Sequence, residues 1–298
     1  MEPAADIVIL SPHFDDAVIS VGGMIGRESA RGRKVEVWTC FTTGPALETL
    51  PVSQRPLADY AARQEEDRRA LAVLGATARS LGLRERIWRD PPLRHEHHIF
   101  HTPPSLEGFT ALSEIRQIAG ELIRGRSQVF APLGVGHHHD HMEVALGVLL
   151  EMLSLNRSDR VHFYEDPYAH GGGCRRAHSI ARRRFWKPWS APAWASPRMG
   201  ALLFAAAMCS RGPKLEDYLP EVTRLLWTST DLQLDPDDER RKLAALAEYR
   251  SQVTAFGGMP TLEAFLRQVH VALNGEPIWQ GRTRPALPNS HDSPGESR

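Results

Sequence analysis

Apolar residues in the first 165 positions form short runs separated by longer amphipathic stretches. The run at 7–10 is rich in β-branched residues and typical of a strand buried on both faces. Pro12 ends it, because proline has no N–H for a sheet ladder. Further strands are predicted at 34–43, 78–83, 128–132 and 160–164, and helices at 17–31, 59–74, 106–123 and 142–153.

This alternation of strand and helix predicts an α/β fold, Rossmann-like, with a mostly parallel sheet and helices on both faces. The C-terminal part is less regular: helices are predicted at 235–253 and 261–273, and a glycine-rich loop at 170–173. The segment 282–298 is rich in proline, serine and charge, so we expect a disordered tail there.

Composition narrows the range of partners and locations. The 298 residues include 36 basic and 36 acidic side chains, so charge gives no case for nucleic acid or an anionic membrane as partner. The longest apolar run, 199–209, is about half of what a bilayer span requires. Three distant cysteines and no signal-peptide pattern predict a cytoplasmic protein. They are Cys40, Cys174 and Cys209.

Two polar clusters follow predicted strands. His13, Asp15 and Asp16 come directly after the first strand, and the cluster at 134–141 follows the strand at 128–132. Because parallel strands end at the same edge of a sheet, we expect the two clusters to meet.

The residue types in these clusters suit a catalytic metal ion. His13 and Asp16 could converge on one ion, and Asp15, pointing elsewhere, would be free to act as a base. His138 and His141 share a helix face, so one could complete the ligand set while the other stands beside the open position. Two imidazoles and one carboxylate with an open position are typical of catalytic zinc. The same donors form the Fe(II) triad of oxygenases, and a binding module with incidental histidines is a third interpretation.

The same clusters resemble a known family. Residues 12–17 (PHFDDA) are similar to the PH-P-DD-E motif of the PIG-L/LmbE-like zinc-dependent N-deacetylases, and 138–141 (HHDH) to their H-x-D-H motif. The segments 63–75 and 164–168 also resemble family segments. Phe14 and Ala17 depart from the pattern without removing a group that the chemistry needs.

The resemblance implies a role for each matching residue. Zinc, with iron as the alternative, would be held by His13, Asp16 and His141. Asp15 would be the general base, and a protonated His138, oriented by Asp140, would stabilise the oxyanion. Arg63 and Asp90 match positions that bind the sugar in related enzymes.

The predicted protein is therefore a zinc-dependent amide hydrolase, an N-deacetylase of N-acylated amino sugars or their conjugates, natural-product intermediates included. An amidase acting on a non-sugar amide is the alternative. Residues 1–281 are predicted to form one such domain, with its core at 1–170 and substrate-facing elements at 171–281. The small-molecule substrate is the expected partner, with no nucleic acid or membrane, and a homo-oligomer is left open.

Two further segments have simpler interpretations. The histidines at 95, 97, 98 and 101 indicate a solvated loop or the rim of a site more than a second metal site. The Arg- and Trp-rich stretch 175–194 is interpreted as a solvated helix face or a flap.

Overall fold

The structure, a computed structural model, describes residues 5–52, 55–184 and 197–283. Its strands are β1 (Ile7–Ser11), β2 (Val35–Thr43), β3 (Thr77–Arg84), β4 (Gln128–Pro132), β5 (Val161–Tyr164), β6 (Leu226–Leu232) and β7 (Glu276–Arg282). Its helices are α1 (Asp16–Ala30), α2 (Arg55–Ala58), α3 (Tyr60–Val73), α4 (Leu112–Arg124), α5 (His139–Leu155), α6 (Gly172–Ala177), α7 (Pro197–Cys209), α8 (Leu215–Tyr218), α9 (Pro236–Leu246), α10 (Arg250–Ala255) and α11 (Met259–Leu273). Among the described residues, no helix has the length and apolar character that crossing a membrane requires.

The strands form one mixed, mostly parallel sheet in the order β3-β2-β1-β4-β5-β7-β6. Strands β1 to β5 are parallel, and β7 runs antiparallel to both β5 and β6. The predicted Rossmann-like α/β class is confirmed. The strand order reverses between β1 and β4, and the crevice beyond the carboxyl ends of two such strands is where open α/β sheets bind ligands.

Strand β1 lies at the centre of the core because both of its faces are apolar. Val8 and Leu10 pack on the side covered by α4 and α5, whereas Ile7 and Ile9 pack on the side covered by α1, α3, α9 and α11. All four side chains are almost completely buried. Alternate residues of a strand point to opposite faces, so an unbroken apolar run is what a central strand requires.

Several predicted boundaries are wrong, each for a local reason. The helix predicted at 106–123 begins at Leu112, because Gly108 sits in a tight turn where an added Cβ would lie 2.3 Å from the Cβ of Pro103. The predicted loop at 170–173 contains the start of α6, whose Gly173 packs closely against Ala207 of α7. The helix predicted at 235–253 is two helices, since Tyr249 turns inward between them and donates to Asp67 at 2.6 Å.

Strands β6 and β7 were not predicted. Pro277 and Gly281 obscure the pattern of β7, and Trp227 is the one buried residue of β6. Arg282 therefore ends a strand rather than starting a tail. The rest of the predicted tail, 284–298, and the aromatic residues at 185–194 lie outside the described residues.

Glu276 of β7 ties the edge of the sheet to a break in α1. The backbone of Val21 is non-helical (φ −134°, ψ 25°), and the N–H groups of Gly23 and Met24 donate to the Glu276 carboxylate at 2.9 and 2.8 Å. Lys242 of α9 donates to the same carboxylate at 2.8 Å, and both charged side chains are buried. One acid thus replaces hydrogen bonds that the helix lacks and neutralises a buried cation.

We expect Glu276→Ala to lower the free energy of unfolding by about 3–5 kcal/mol, because it leaves the Lys242 ammonium buried and unpaired. Denaturant unfolding followed by circular dichroism measures this change. Glu263→Ala, which removes a solvent-exposed pair with Arg267, is the matched control and should cost less than about 1 kcal/mol. An equal loss of unfolding free energy in the two variants would contradict the role of Glu276 as the partner that stabilises the buried Lys242.

Candidate active site

The first polar cluster is shaped by a hydrogen-bonded turn between β1 and α1. Ser11 donates through Oγ to the carbonyl of His13 and accepts from the N–H of Ala17. Asp16 accepts from the N–H of His13 at 2.9 Å and lies 3.0 Å from its ring nitrogen Nδ1. The turn therefore folds the imidazole back over the first carboxylate of the helix.

The second cluster occupies the loop between β4 and the start of α5. Gly136 has a φ of +95°, and an added Cβ there would lie 2.7 Å from the Tyr168 Cβ, so only glycine fits. His138 is the N-cap residue of α5 and His141 lies in its first turn, with 4.7 Å between their ring centroids. The two clusters meet at the reversal of strand order, as the sequence predicted.

His13, Asp16 and His141 offer ligand atoms that all lie within 4.8 Å of one another. The Nε2 atom of His141 is 3.1 Å from Asp16 Oδ2, yet it is buried and makes no hydrogen bond. An acceptor nitrogen left in this way beside a carboxylate fits a divalent metal ion. The donor set of two imidazoles and one carboxylate is the set predicted for a catalytic site.

Asp166, which follows β5, orients His141 from behind. Its Oδ1 atom is 2.6 Å from His141 Nδ1, and its Oδ2 atom accepts from the N–H of Val135 at 2.8 Å. A carboxylate on the far nitrogen fixes the tautomer of a metal-binding histidine and raises its basicity. Sequence reasoning noticed the segment 164–168 but gave Asp166 no role; its position at the end of a parallel strand was the available signal.

The electrostatics of the trio favour a cation. Burial lowers the pKa of His141, but the negative charges of Asp16 and Asp166, together with the hydrogen bond to Asp166, outweigh it and raise the pKa to about 9. Burial also opposes ionisation of Asp16, but His141 and His13 hold the pKa of that carboxyl well below its usual range. A site that stabilises positive charge on an imidazole stabilises a metal ion in the same place.

Asp15 and His138 remain outside this trio and face the same cavity. Asp15 is 7% exposed, and burial, followed by the charge of Asp16, raises its pKa to about 6. Burial and the neighbouring His141 and His13 lower the pKa of His138 well below its usual value. The Nδ1 atom of His138 is buried without a hydrogen-bond partner.

Asp140 contacts His13 instead of His138. Its Oδ2 atom lies 3.2 Å from His13 Nε2 and accepts from the N–H of Arg86 at 3.1 Å. Arg89 forms ion pairs with both Asp140 and Glu143. His13, His138 and Asp140 also lie within 4.8 Å of one another, but the guanidinium of Arg89 already neutralises Asp140. The trio with Asp16 is therefore the better cation site.

The two predicted sugar-binding residues have different outcomes. Arg63 of α3 lines the cavity, donates to Glu85 at 3.0 Å and lies 5.5 Å from the ring centroid of Phe14. Asp90 is exposed and lies outside the cavity lining, whereas the preceding residue, Arg89, reaches the site. In a loop without regular secondary structure, the sequence does not show which side chains face solvent and which face the interior.

The histidine-rich loop forms part of the cavity rim. The rings of His95, His97, His98 and His101 contact one another, with centroids 4.5–6.1 Å apart. His97 lines the cavity, together with Glu96 and Ile99. Over the ranges that the structure describes, the only groups of three close metal-binding side chains are the two that include His13.

We expect Asp166→Ala to weaken metal binding by roughly 10–100-fold, because the His141 ring loses its orienting acceptor. Competition with a chromophoric chelator measures the affinity. Asp166→Asn, which can still accept from Val135, should fall between Asp166→Ala and the unmodified protein. Asp159→Ala, an exposed acid just before β5, should leave the affinity unchanged. Unaltered affinity in Asp166→Ala would contradict this role.

Comparisons with known proteins agree with the sequence motifs and with the fold. Residues 8–150 match the family model described as PIG-L: GlcNAc-PI de-N-acetylase. Crystal structures with the same fold include an antimicrobial pseudoaglycone deacetylase (20% identity, TM-score 0.59, 94% of this chain and 97% of that one). They also include the zinc-inhibited form of teicoplanin deacetylase (19% identity, TM-score 0.62, 95% and 99%). No curated protein matches the chain in sequence.

Proposed function

We propose that the protein is a metal-dependent N-deacetylase of an N-acylated amino sugar or its conjugate, and a member of the PIG-L family, whose model residues 8–150 match. The observation that carries this proposal is the trio His13, Asp16 and His141 with a spare acid, Asp15, beside it in the same cavity. Metal-assisted amide hydrolysis needs these two parts: a cation at the carbonyl and a base for the water.

His13, Asp16 and His141 are the proposed metal ligands, and Zn²⁺ is the proposed ion, with Fe²⁺ as the second candidate. The bound ion would supply Lewis acidity, polarising the amide carbonyl and making water easier to deprotonate. Asp140 and Asp166 are proposed to position His13 and His141, respectively, since each lies within hydrogen-bond distance of a ring nitrogen.

Asp15 is the proposed general base. Its raised pKa keeps it a stronger proton acceptor than an exposed carboxylate, and its side chain faces the cavity in which the substrate would lie. In the proposed reaction Asp15 takes a proton from water as the water attacks the amide carbonyl. It later returns that proton to the nitrogen of the departing amine.

His138 is proposed to donate a hydrogen bond to the oxygen that becomes negative. Burial lowers the pKa of His138 well below its usual value, which favours a neutral ring over the protonated ring of the predicted mechanism. A neutral imidazole can still donate one N–H, which suffices for an oxyanion contact.

Arg63 and Glu85 are proposed to bind substrate hydroxyl groups. As an ion pair at the cavity wall, they offer both a donor and acceptors to a sugar ring. We drop Asp90 from this role because it is exposed outside the cavity. The match to the GlcNAc-PI de-N-acetylase model supports a sugar conjugate as substrate, and the pseudoaglycone and teicoplanin deacetylases that share the fold support a natural-product conjugate. The three free cysteines are in keeping with a cytoplasmic location, which remains part of the proposal.

Release of acetate from N-acetylglucosamine and its glycosides, with and without chelator, tests the proposal. We expect chelator to abolish release and added Zn²⁺ or Fe²⁺ to restore it. A panel of N-acetylated non-sugar amines serves as the control for substrate class. Faster release from that panel would favour the non-sugar amidase, and chelator-insensitive release would contradict the metal site.

A further inference from the structure

We infer that the substrate carries a bulky apolar group next to the scissile amide, and that α7, α10 and α11 hold this group. The inference rests on the proposed function, since it identifies the substrate class of the same site. It is based on the cavity around Asp15 and His138, in which one wall is polar and the opposite wall is apolar.

Five polar side chains of the cavity come from one edge of the sheet. His13, Asp15 and Asp16 follow β1, His138 follows β4, and Glu85 follows β3. These groups suffice to hold a metal ion, an amide and a few hydroxyls. They all sit at the carboxyl ends of the parallel strands.

The opposite wall is apolar. It is built by α7, by α10 and the Phe256 that follows it, by α11 and by the segment 87–100. Among the described lining residues from these parts, three are polar: Glu96, His97 and Gln252. Apolar members include Leu202, Leu203 and Phe265, with Ile99 and Phe256 only partly buried. Surface of this kind is stabilised by covering it with an apolar group, at about 25 cal/mol for each Å² removed from water.

The size of the cavity also exceeds the needs of a small sugar. Its volume is about 670 Å³. Cavities of roughly 300–1,000 Å³ enclose most of the surface of a drug-sized ligand. An acetylated monosaccharide alone would leave the apolar wall in contact with water, whereas an apolar substituent would cover it.

Two parts of a substrate could supply the apolar group: the acyl chain or the aglycone of the sugar. Both flank the amide that Asp15 and His138 act on, and both would place methylene or aromatic groups against Leu202 and Phe256. The shared chemistry is an extended apolar substituent. In the aglycone the apolar substituent is joined to the sugar by the glycosidic bond, and in the acyl chain it is joined by the amide bond. Substrates that differ only in this position therefore distinguish the two sources.

The test compares three ligands below their critical micelle concentrations. They are the methyl glycoside of N-acetylglucosamine, its octyl glycoside, and the methyl glycoside of N-octanoylglucosamine. Binding is measured by calorimetry on the metal-loaded Asp15→Asn protein, and kcat/KM is measured on the unmodified protein. We expect one octyl ligand to bind, and to react, at least about tenfold better than the methyl glycoside, since each buried methylene contributes about 0.8 kcal/mol.

Two variants of the apolar wall test whether this wall causes the preference for an octyl ligand. Leu202→Gln and Phe256→Gln should each reduce the preference for the octyl ligand at least about fivefold, because a polar side chain then faces the apolar group. Phe204→Gln is the control: Phe204 lies on α7 but is 63% exposed and outside the cavity lining. It should leave the preference unchanged.

Each outcome decides one question. A preference for the octyl glycoside identifies the aglycone as the apolar group, and a preference for the N-octanoyl ligand identifies the acyl chain. Either preference supports the inference if Leu202→Gln reduces that preference. Equal binding of all three ligands overturns the inference even if acetate is released. If the octyl ligand binds through Leu202 but no ligand is hydrolysed, the apolar subsite stands and the proposed deacetylase function fails.

Discussion

Replacing Asp15 by alanine is expected to lower kcat by about 10²–10⁴-fold, the usual contribution of a general base. The carboxylate faces the cavity and lies outside the trio of proposed metal ligands. The variant should therefore keep its metal, at one ion per chain by elemental analysis. Loss of activity with retained metal separates the base from the ligands next to it in sequence.

Two further measurements distinguish a base from a structural residue. Added formate should restore part of the activity of Asp15→Ala, since a small carboxylate can occupy the space that the side chain leaves. Asp15→Asn keeps the shape of the side chain without a basic oxygen, so it should be as inactive as Asp15→Ala in the absence of formate. Near-normal kcat in either variant would mean that another group, with His138 the first candidate, removes the proton.

The sequence predicted strand β1 and the polar residues after it well, because burial on both faces of the sheet determines which residue type each of these positions can hold. A strand buried on both faces must be apolar at every position, and β1 is. Polar residues directly after such a strand must lie at the edge of the sheet, so the sequence placed His13 and Asp16 beside the cluster that holds His138 and His141, and the family resemblance selected His141. The i, i+3 spacing of His138 and His141 likewise fixed their shared face.

The rest depends on contacts between residues distant in sequence. Arg89 reaches Asp140 and Glu143 from a loop whose course no periodicity describes. The family resemblance pointed to the adjacent Asp90, one residue from the side chain that enters the site. The apolar wall also depends on contacts between distant residues. An apolar run such as 199–209 could face a membrane, the core or a cavity, and only its packing shows that Leu202 lines a cavity.

The removal of a proposed ligand, His141→Gln, is expected to abolish both stoichiometric metal binding and activity. The His141 Nε2 atom faces Asp16 at 3.1 Å without a hydrogen bond, so the side chain has no other bond to lose on that side. A metal ion that binds only the folded chain stabilises it, and the stabilisation grows with the logarithm of the affinity. Chelator should therefore lower the melting temperature of the unmodified protein and leave that of His141→Gln unchanged.

His139→Gln is the matched control for His141→Gln. His139 is also a buried histidine in the first turn of α5, but its ring packs against Phe109, with 4.8 Å between centroids, and lies outside both close groups of metal-binding side chains. It should keep the metal, the activity and the response of the melting temperature to chelator. If both variants lose metal equally, the loss reflects damage to α5. If His141→Gln keeps the metal, the ion is held by His13, His138 and Asp140 instead.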